Sequence, residues 1–228
     1  MNPKQRAAEA AIPYVQSGMA IGLGTGSTAD YFLQALSAEL KAGRVRGVRG
    51  VPTSRRSELR AQELGIPLIN LAQYPNPDLT VDGADEIDPN LELIKGLGGA
   101  LVREKIVAQA SRLLIIIADS SKCVSVLGER RPLPIEVVQF AHETHEAYFR
   151  KLGAQPLLRR TPEGTPYVTD NGNCIYDCRF ARIDRPAEIE EAILHRAGVV
   201  DCGLFIGIAR LALIADDKSV RQIERRAS

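Results

Sequence analysis

Two rhythms of apolar and polar positions run along this chain. In the first half, short apolar runs alternate with stretches of helical period. MAIGLG at 19–24 reads as a strand and TADYFLQALSAELKAG after it as a helix; VRGVRGV at 45–51 is a strand and SRRSELRAQELG a helix. PLINL and DLTVDG (78–83) read as two more short strands, ALVREKIVAQA as a helix and RLLIIIAD (112–119) as a continuous apolar strand. Strands without polar alternation belong to parallel sheets covered on both faces. Their alternation with helices predicts an α/β fold with an open, doubly wound, mostly parallel sheet of Rossmann-like type.

The rhythm changes after about Leu127, where GERRPLP gathers glycine, proline and charge as a boundary does. IEVVQF, HETHEAYFRKLG and QPLLRR read as strand, helix and strand. PYVTDNGNCIYDCRF reads as two strands around an Asp-Asn-Gly turn, a hairpin signal. PAEIEEAILHRAG is a helix with Pro at its start and Gly past its end, and VVDCGLF closes the series. The order β-α-β-β-α-β predicts a smaller ferredoxin-like α+β domain. LALIAD (211–216) and a last helix are expected to return to the first domain. The expected division is thus 1–128 plus 206–228 for the sheet domain and 129–205 for the smaller one, which is expected to serve assembly.

Composition narrows the field. The 228 residues are 45% hydrophobic and 25% charged, with a formal net charge of +1. That balance is ordinary for a globular protein and carries no basic excess for nucleic acid or an anionic membrane. The longest apolar run, LLIIIA at 113–118, is far too short to span a bilayer, and the first eighteen residues lack the apolar segment of a signal peptide. A cytoplasmic protein with reduced thiols is expected. The four cysteines form no CxxC pair, and Cys174 and Cys178 share one face of a strand as small hydrophobes.

Four stretches carry candidate chemistry. GLGTGSTA (22–29) sits at a strand-to-helix junction, where glycines admit close approach and free N–H groups with the helix dipole attract an anion. Ser27 stands where the third glycine of a dinucleotide fingerprint belongs, and Pro52, Thr53 and Ser54 stand where a ribose-binding acid belongs. Arg55 or Arg56 leaves NADP as an alternative; the hydroxyls of Thr25, Ser27 and Thr28 suit a terminal phosphate monoester. The bland alternative is a tight turn with a helix cap. DGADEID (82–88) places Asp82 at the carboxyl end of a strand, the edge where ligands of open α/β sheets bind. A solvated Asp-Gly turn is the competing reading, and the spacing matches no EF-hand. KGLGGALVREK sets Lys95 among Gly96, Gly98 and Gly99, a source of oxyanion donors, and brings Glu104 into the first turns of a helix. A surface acid near a helix N-terminus is the alternative for Glu104. ADSSK (118–122) places Lys122 on the same sheet edge. His142 and His145, in HETHE, lack a third ligand and are read as a solvated helix face.

Taken together, GLGTGSTA, VDGADEID, IKGLGGALVREK, ADSSK, LPIEV and VTDNGN, in that order and spacing, resemble ribose-5-phosphate isomerase of type A over nearly the whole chain. The resemblance implies interconversion of ribose 5-phosphate and ribulose 5-phosphate in the pentose phosphate pathway, without metal, nucleotide or other cofactor, by a cytoplasmic homodimer or homotetramer. It implies substrate binding by Thr25, Gly26, Ser27 and Thr28, by Asp82, Gly83, Ala84 and Asp85, by Lys95, Gly96, Leu97 and Gly98, and by Lys122. Glu104 matches the proton acceptor, with Lys95 stabilising the oxyanion and Asp82 and Asp85 assisting. Glu86 and Asp88 are left as turn and surface acids. Leu97 replaces a common glycine and Val102 a common threonine. The rival from another class is a non-catalytic sugar-phosphate sensor of similar fold. It needs a DNA-binding segment ahead of the first strand, and only about eighteen residues stand there.

Overall fold

The computed structural model describes residues 2–225 of the chain. Its elements run α1 (Pro3–Ala10), β1 (Ala20–Leu23), α2 (Ser27–Lys41), β2 (Arg49–Pro52), α3 (Arg55–Leu64), β3 (Leu79–Asp82), β4 (Glu86–Ile87), β5 (Leu93–Ile94), α4 (Leu101–Ala110) and β6 (Leu114–Asp119). There follow β7 (Leu133–Val137), α5 (Thr144–Lys151), β8 (Gln155–Leu158), β9 (Cys174–Arg179), α6 (Pro186–Leu194), β10 (Val199–Cys202), β11 (Leu204–Phe205), β12 (Leu211–Ala215) and β13 (Val220–Glu224). They divide into two units. The first takes the chain up to Ala84, Arg103–Lys122, and the chain from Gly207 on; the second takes Asp85–Val102 and Cys123–Ile206.

The first unit is built on a six-stranded sheet in the order β13-β12-β6-β3-β1-β2. All neighbours are parallel except the antiparallel edge pair β12–β13. This is a doubly wound sheet whose order reverses between β1 and β3. Loops diverge at such a switch point and leave a crevice outside the carboxyl ends of the strands. Side chains alternate across the sheet. Ile21, Leu23, Leu79, Val81, Ile115 and Ile117 point to one face, where they pack with Ala7 and Ala8 of α1 and Phe32, Leu33 and Leu36 of α2. Burying each such side chain contributes about 1.5–3 kcal/mol. The opposite face carries Gly22 and Thr80. A Cβ at Gly22 would meet Val107 of α4 at 2.8 Å, and the Thr80 and Ser111 hydroxyls share a 2.6 Å hydrogen bond, so α4 covers that face.

The second unit holds a four-stranded antiparallel sheet in the order β10-β7-β9-β8, with α5 and α6 as its connecting helices. This is the strand order of the split β-α-β motif twice over, as the ferredoxin-like reading requires. Its core gathers Leu133, Ile135, Val137, Phe149, Tyr176, Cys178 and Ile193. Cys174 and Cys178 are both buried in β9. A second, three-stranded sheet of order β11-β5-β4 belongs to the same unit.

Several expectations are corrected. The last described element is the strand β13, not a helix. Asp216 accepts the backbone N–H groups of Lys218 and Ser219, both at 2.7 Å, and so closes a hairpin turn. PLINL forms no strand, only a single bridge from Leu68 to Gly50. The Asp-Asn-Gly hairpin keeps only its second strand, β9. The first arm is diverted because Thr169 Oγ1, Asn171 Nδ2 and Asn173 Nδ2 all donate to Oε1 of the buried Glu136, at 3.0, 3.1 and 2.8 Å. The turn signal in VTDNGN and the acid in LPIEV are therefore one cluster. HETHE is no solvated face: His145 is buried and stacks on Phe149 at 5.7 Å, and His142 Nδ1 lies 3.0 Å from the Tyr176 hydroxyl. The units also differ from the expected division of 1–128 plus 206–228 against 129–205, since 85–102, 123–128 and 206 go with the second unit. Pairing of β5 with β11 and a bridge from Ile87 to Cys123 place them there.

Candidate active site

In the first unit the site residues converge because four neighbouring parallel strands end at one edge. β2 delivers Thr53 and Ser54, β1 the loop Gly24–Ser27, β3 Asp82–Ala84, and β6 the short turn Ser120–Lys122. At the switch point, Asp82 Oδ1 accepts the N–H of Thr25 at 3.0 Å and of Gly83 at 2.7 Å. A Cβ at Gly24 would collide with the Asp82 carboxylate, so only glycine permits this approach. The Thr25 hydroxyl lies 2.8 Å from both Thr53 Oγ1 and Ser54 Oγ. Ser54 in turn caps α3 through a reciprocal pair with Ser57. Thr25 is thus anchored inward, while Ser27 at the start of α2 is exposed and its Oγ accepts from Lys4 Nζ at 3.0 Å. Gly26, with φ +113°, shapes the entry into α2, and Thr28 is buried in its first turn.

The position of Glu104 follows from helix geometry. Glu104 and Val107 of α4 and Ser111 just past its end stand at i, i+3 and i+7, on one stripe. Val107 meets Gly22 and Ser111 meets Thr80, so that stripe faces the sheet. The helix runs antiparallel to the strands, and three residues back from Val107 is a rise of about 4.5 Å toward their carboxyl ends. Alternation also puts Asp82 on the face of Gly22 and Thr80. Glu104 and Asp82 therefore occupy the same face and edge, at 4% and 1% exposure respectively.

The second unit holds the remaining predicted residues. Asp85 Oδ2 accepts the N–H of Leu97 at 3.0 Å and so shapes the glycine loop. Lys95 is 2% exposed, its N–H donates to Gly203 O at 2.8 Å, and its ammonium stands 5.4 Å from the Phe205 ring centroid. Gly96 and Gly99 take φ values of +101° and +83°, which side chains rarely adopt. Leu97 is half-buried and Gly98 exposed. Val102, in the first turn of α4, is partly exposed. This loop runs directly into α4, so Lys95 and Glu104 belong to one continuous stretch of chain.

Sequence reasoning misread one acid and missed one base. Glu86 is no surface acid: it is 1% exposed, and its carboxylate accepts the N–H groups of Gly128, Arg130 and Arg131 at 2.6, 2.7 and 2.6 Å. Asp88 is a turn acid, accepting the N–H groups of Asn90 and Glu92, both at 2.8 Å. The acids of DGADEID thus each fix a piece of backbone. Lys4 carried no local signal, since it meets Ser27 only across twenty-three positions of sequence.

The fold and site define a doubly wound α/β protein with buried carboxylates and an anion-favouring loop at its switch point. Comparison with known proteins narrows this. Residues 49–219 match the family model of ribose 5-phosphate isomerase A (phosphoriboisomerase A). A ribose-5-phosphate isomerase A of Roseiflexus castenholzii is 52% identical over 97% of this chain and 94% of its own length. One from a Synechococcus species is 49% identical over 97% and 96%. Among solved structures, ribose 5-phosphate isomerase from Plasmodium falciparum superposes with a TM-score of 0.94 at 42% identity, covering all of both chains. A D-ribose-5-phosphate isomerase in complex with phospho-erythronic acid gives 0.95 at 40%, covering 99% of this chain and 100% of the other. The chain belongs to the ribose 5-phosphate isomerase A family, and it is an isomerase.

Proposed function

We propose that this chain interconverts D-ribose 5-phosphate and D-ribulose 5-phosphate through a cis-enediolate, with Glu104 as the general base. The supporting observation is that Glu104 and Asp82 are both buried and lie toward one face and edge of the sheet at the switch point. The Glu104 carboxylate takes the proton from C2 as the C1 carbonyl becomes an enediolate oxygen. It returns the proton to C1 while the proton on O2 passes to O1, leaving a ketone at C2. A positioned base contributes about 10²–10⁴-fold. Lys95 and the N–H groups of Gly96, Leu97 and Gly98 form the oxyanion-stabilising loop, each good donor contributing roughly 3 kcal/mol. Asp82 assists opening of the furanose ring, and Asp85 orders the loop that carries Lys95.

The phosphate is assigned to Ser27 and Thr28 at the start of α2, with Gly26, Lys4 and Lys122 beside them, where N–H groups and cations favour an anion. Binding energy at this remote group orients the reacting carbons. Gly83 and Ala84 line the sugar with backbone. A related isomerase binds phospho-erythronic acid. Such a molecule carries a carboxylate where the enediolate carries its charge, and we assign it the same site here. The remaining assignments are a cytoplasmic homodimer or homotetramer in which the second unit serves assembly. Among the described residues no helix is long and apolar enough to cross a membrane. The test is turnover of ribose 5-phosphate by wild type and Glu104→Gln. Turnover is expected to fall more than about a hundredfold with the fold intact; near-normal turnover in the variant removes Glu104 from the mechanism.

A further inference from the structure

Arg159 stands just past β8, far in sequence from the glycine loop and in no motif of the family resemblance. Its backbone is fixed on both sides: its N–H donates to Ile175 O at 2.8 Å and its carbonyl accepts from the Tyr167 N–H at 2.9 Å. Its guanidinium forms a fork on Asp177, with Nε at 2.9 Å from Oδ2 and Nη2 at 2.5 Å from Oδ1, at side-chain exposures of only 13% and 20%. A guanidinium held this way has its remaining donors aimed in a fixed direction. Nη1 donates to the carbonyl of Gly96 at 3.1 Å and to that of Leu97 at 3.2 Å. Tyr167 lies against the same cation, 5.7 Å from ring centroid to guanidinium carbon. A Cβ at Gly99 would strike the Tyr167 hydroxyl, so that ring closes over the loop's far end.

The consequence for the loop is directional. In a trans peptide the C=O and the following N–H point to opposite sides. With the Gly96 carbonyl on Arg159, the Leu97 N–H faces the other way and meets Asp85 Oδ2 at 3.0 Å. With the Leu97 carbonyl on Arg159, the Gly98 N–H is turned the same way. Gly98 is exposed, and its N–H has no partner among the described residues.

We propose that Arg159, locked by Asp177, is a positioning residue of the isomerisation. By holding the carbonyls of Gly96 and Leu97 it presents the Gly98 N–H, beside Lys95, to the charge that develops on the enediolate. This rests on the reading of Lys95–Gly98 as the oxyanion loop. Removing the guanidinium lets two peptide planes rotate, so the donor is lost in the transition state more than in substrate binding.

The test compares Arg159→Ala, Arg159→Lys, Asp177→Asn and Lys95→Met in the full chain, by turnover of ribose 5-phosphate and by binding of phospho-erythronic acid. For Arg159→Ala, kcat is expected to fall about 30- to 300-fold with KM within about threefold. Affinity for phospho-erythronic acid should fall in parallel with kcat, and millimolar methylguanidinium should restore activity about tenfold or more. Arg159→Lys, which reaches one carbonyl at best, and Asp177→Asn, which unlocks the fork, should fall between wild type and Arg159→Ala. Asp177→Asn also keeps the proposal testable if Arg159→Ala does not fold. Retention of kcat within about threefold by Arg159→Ala, or a loss that methylguanidinium leaves untouched, overturns the proposal. If Lys95→Met collapses while Arg159→Ala stays active, only the role of Arg159 fails. If Lys95→Met also stays active, the oxyanion-loop reading fails and takes this proposal with it.

Discussion

Asp82 Oδ1 accepts the backbone N–H of Thr25 at 3.0 Å, and this bond ties together the loops after β1 and β3 at the point where the strand order reverses. The same oxygen takes the Gly83 N–H at 2.7 Å. One carboxylate thus shapes both loops that flank the crevice. Two duties are separable by substitution. Asp82→Asn keeps an acceptor oxygen and should retain stability within about 1 kcal/mol, whereas Asp82→Ala removes the carboxylate acceptor of two part-buried donors and should lose about 1–3 kcal/mol. Urea unfolding measures this. If proton transfer at the sugar ring needs the acid, Asp82→Asn should still lose turnover at least about tenfold. Full activity in a stable Asp82→Asn would leave Asp82 with an architectural duty alone.

Glu86 is assigned no step in the proposed chemistry, and its bonds give it a duty in the fold. Its three backbone donors at 128, 130 and 131 lose this acceptor in Glu86→Ala, the one at Gly128 in a buried setting and the other two in part-buried ones. A loss of about 3–5 kcal/mol is expected, in the range reserved for broken buried networks. Glu86→Gln, which keeps one acceptor and introduces two donors, should fall between. A midpoint shift in Glu86→Ala no larger than that of an exposed acid would contradict the burial.

Lys4 is the cheapest probe of the phosphate assignment. Its ammonium meets Ser27 Oγ at 3.0 Å and neither group sits near the reacting carbons in the proposed mechanism. Lys4→Met is expected to raise KM for ribose 5-phosphate about 5- to 30-fold, with a smaller fall in kcat, and the wild-type enzyme should show a salt dependence that the variant lacks. An unchanged KM would move the phosphate elsewhere.

His145 gives the second unit a pH dependence. Burial first, then the Arg196 guanidinium and His142, hold its imidazole below the usual histidine value. The unfolded chain takes up this proton near pH ~6.5, before the native state does. In the window just below that value the unfolded state binds more protons, so the stabilisation is present above about pH 6.5 and is lost as pH falls toward the native value. Denaturant midpoints at pH 7.5 and 5.5 should therefore diverge in wild type and converge in part in His145→Gln. Equal pH slopes in the two proteins would assign the acid sensitivity elsewhere.

Much of the frame was legible because burial on both faces leaves a mark in composition. β1, β6 and β12 are almost wholly apolar runs, while β3 (LTVD) alternates, and the glycine loops stand at the strand ends where they were expected. Side-chain duties were less legible because their partners lie far along the chain. Nothing beside Glu86 distinguishes it from a solvated acid; its three donors come some forty residues later. The Asn-Gly signal in VTDNGN is a true turn signal, yet Glu136 captures the polar side chains that a plain hairpin would have left in solvent. Arg159 belongs to no motif, and only the folded chain reveals the two carbonyls it holds.

The strand order has a consequence for synthesis. β12 sits inside the large sheet between β6 and β13, yet it is translated after the whole second unit. Until it emerges from the ribosome, β6 is an open edge with a row of unpaired amides, the kind of surface that invites mispairing with a neighbouring nascent chain. The strands that carry the crevice loops are made early, but their sheet is sealed late. A stalled or prematurely released chain would therefore carry most of the site residues on an aggregation-prone scaffold, and the appearance of activity should track completion of the polypeptide rather than its length.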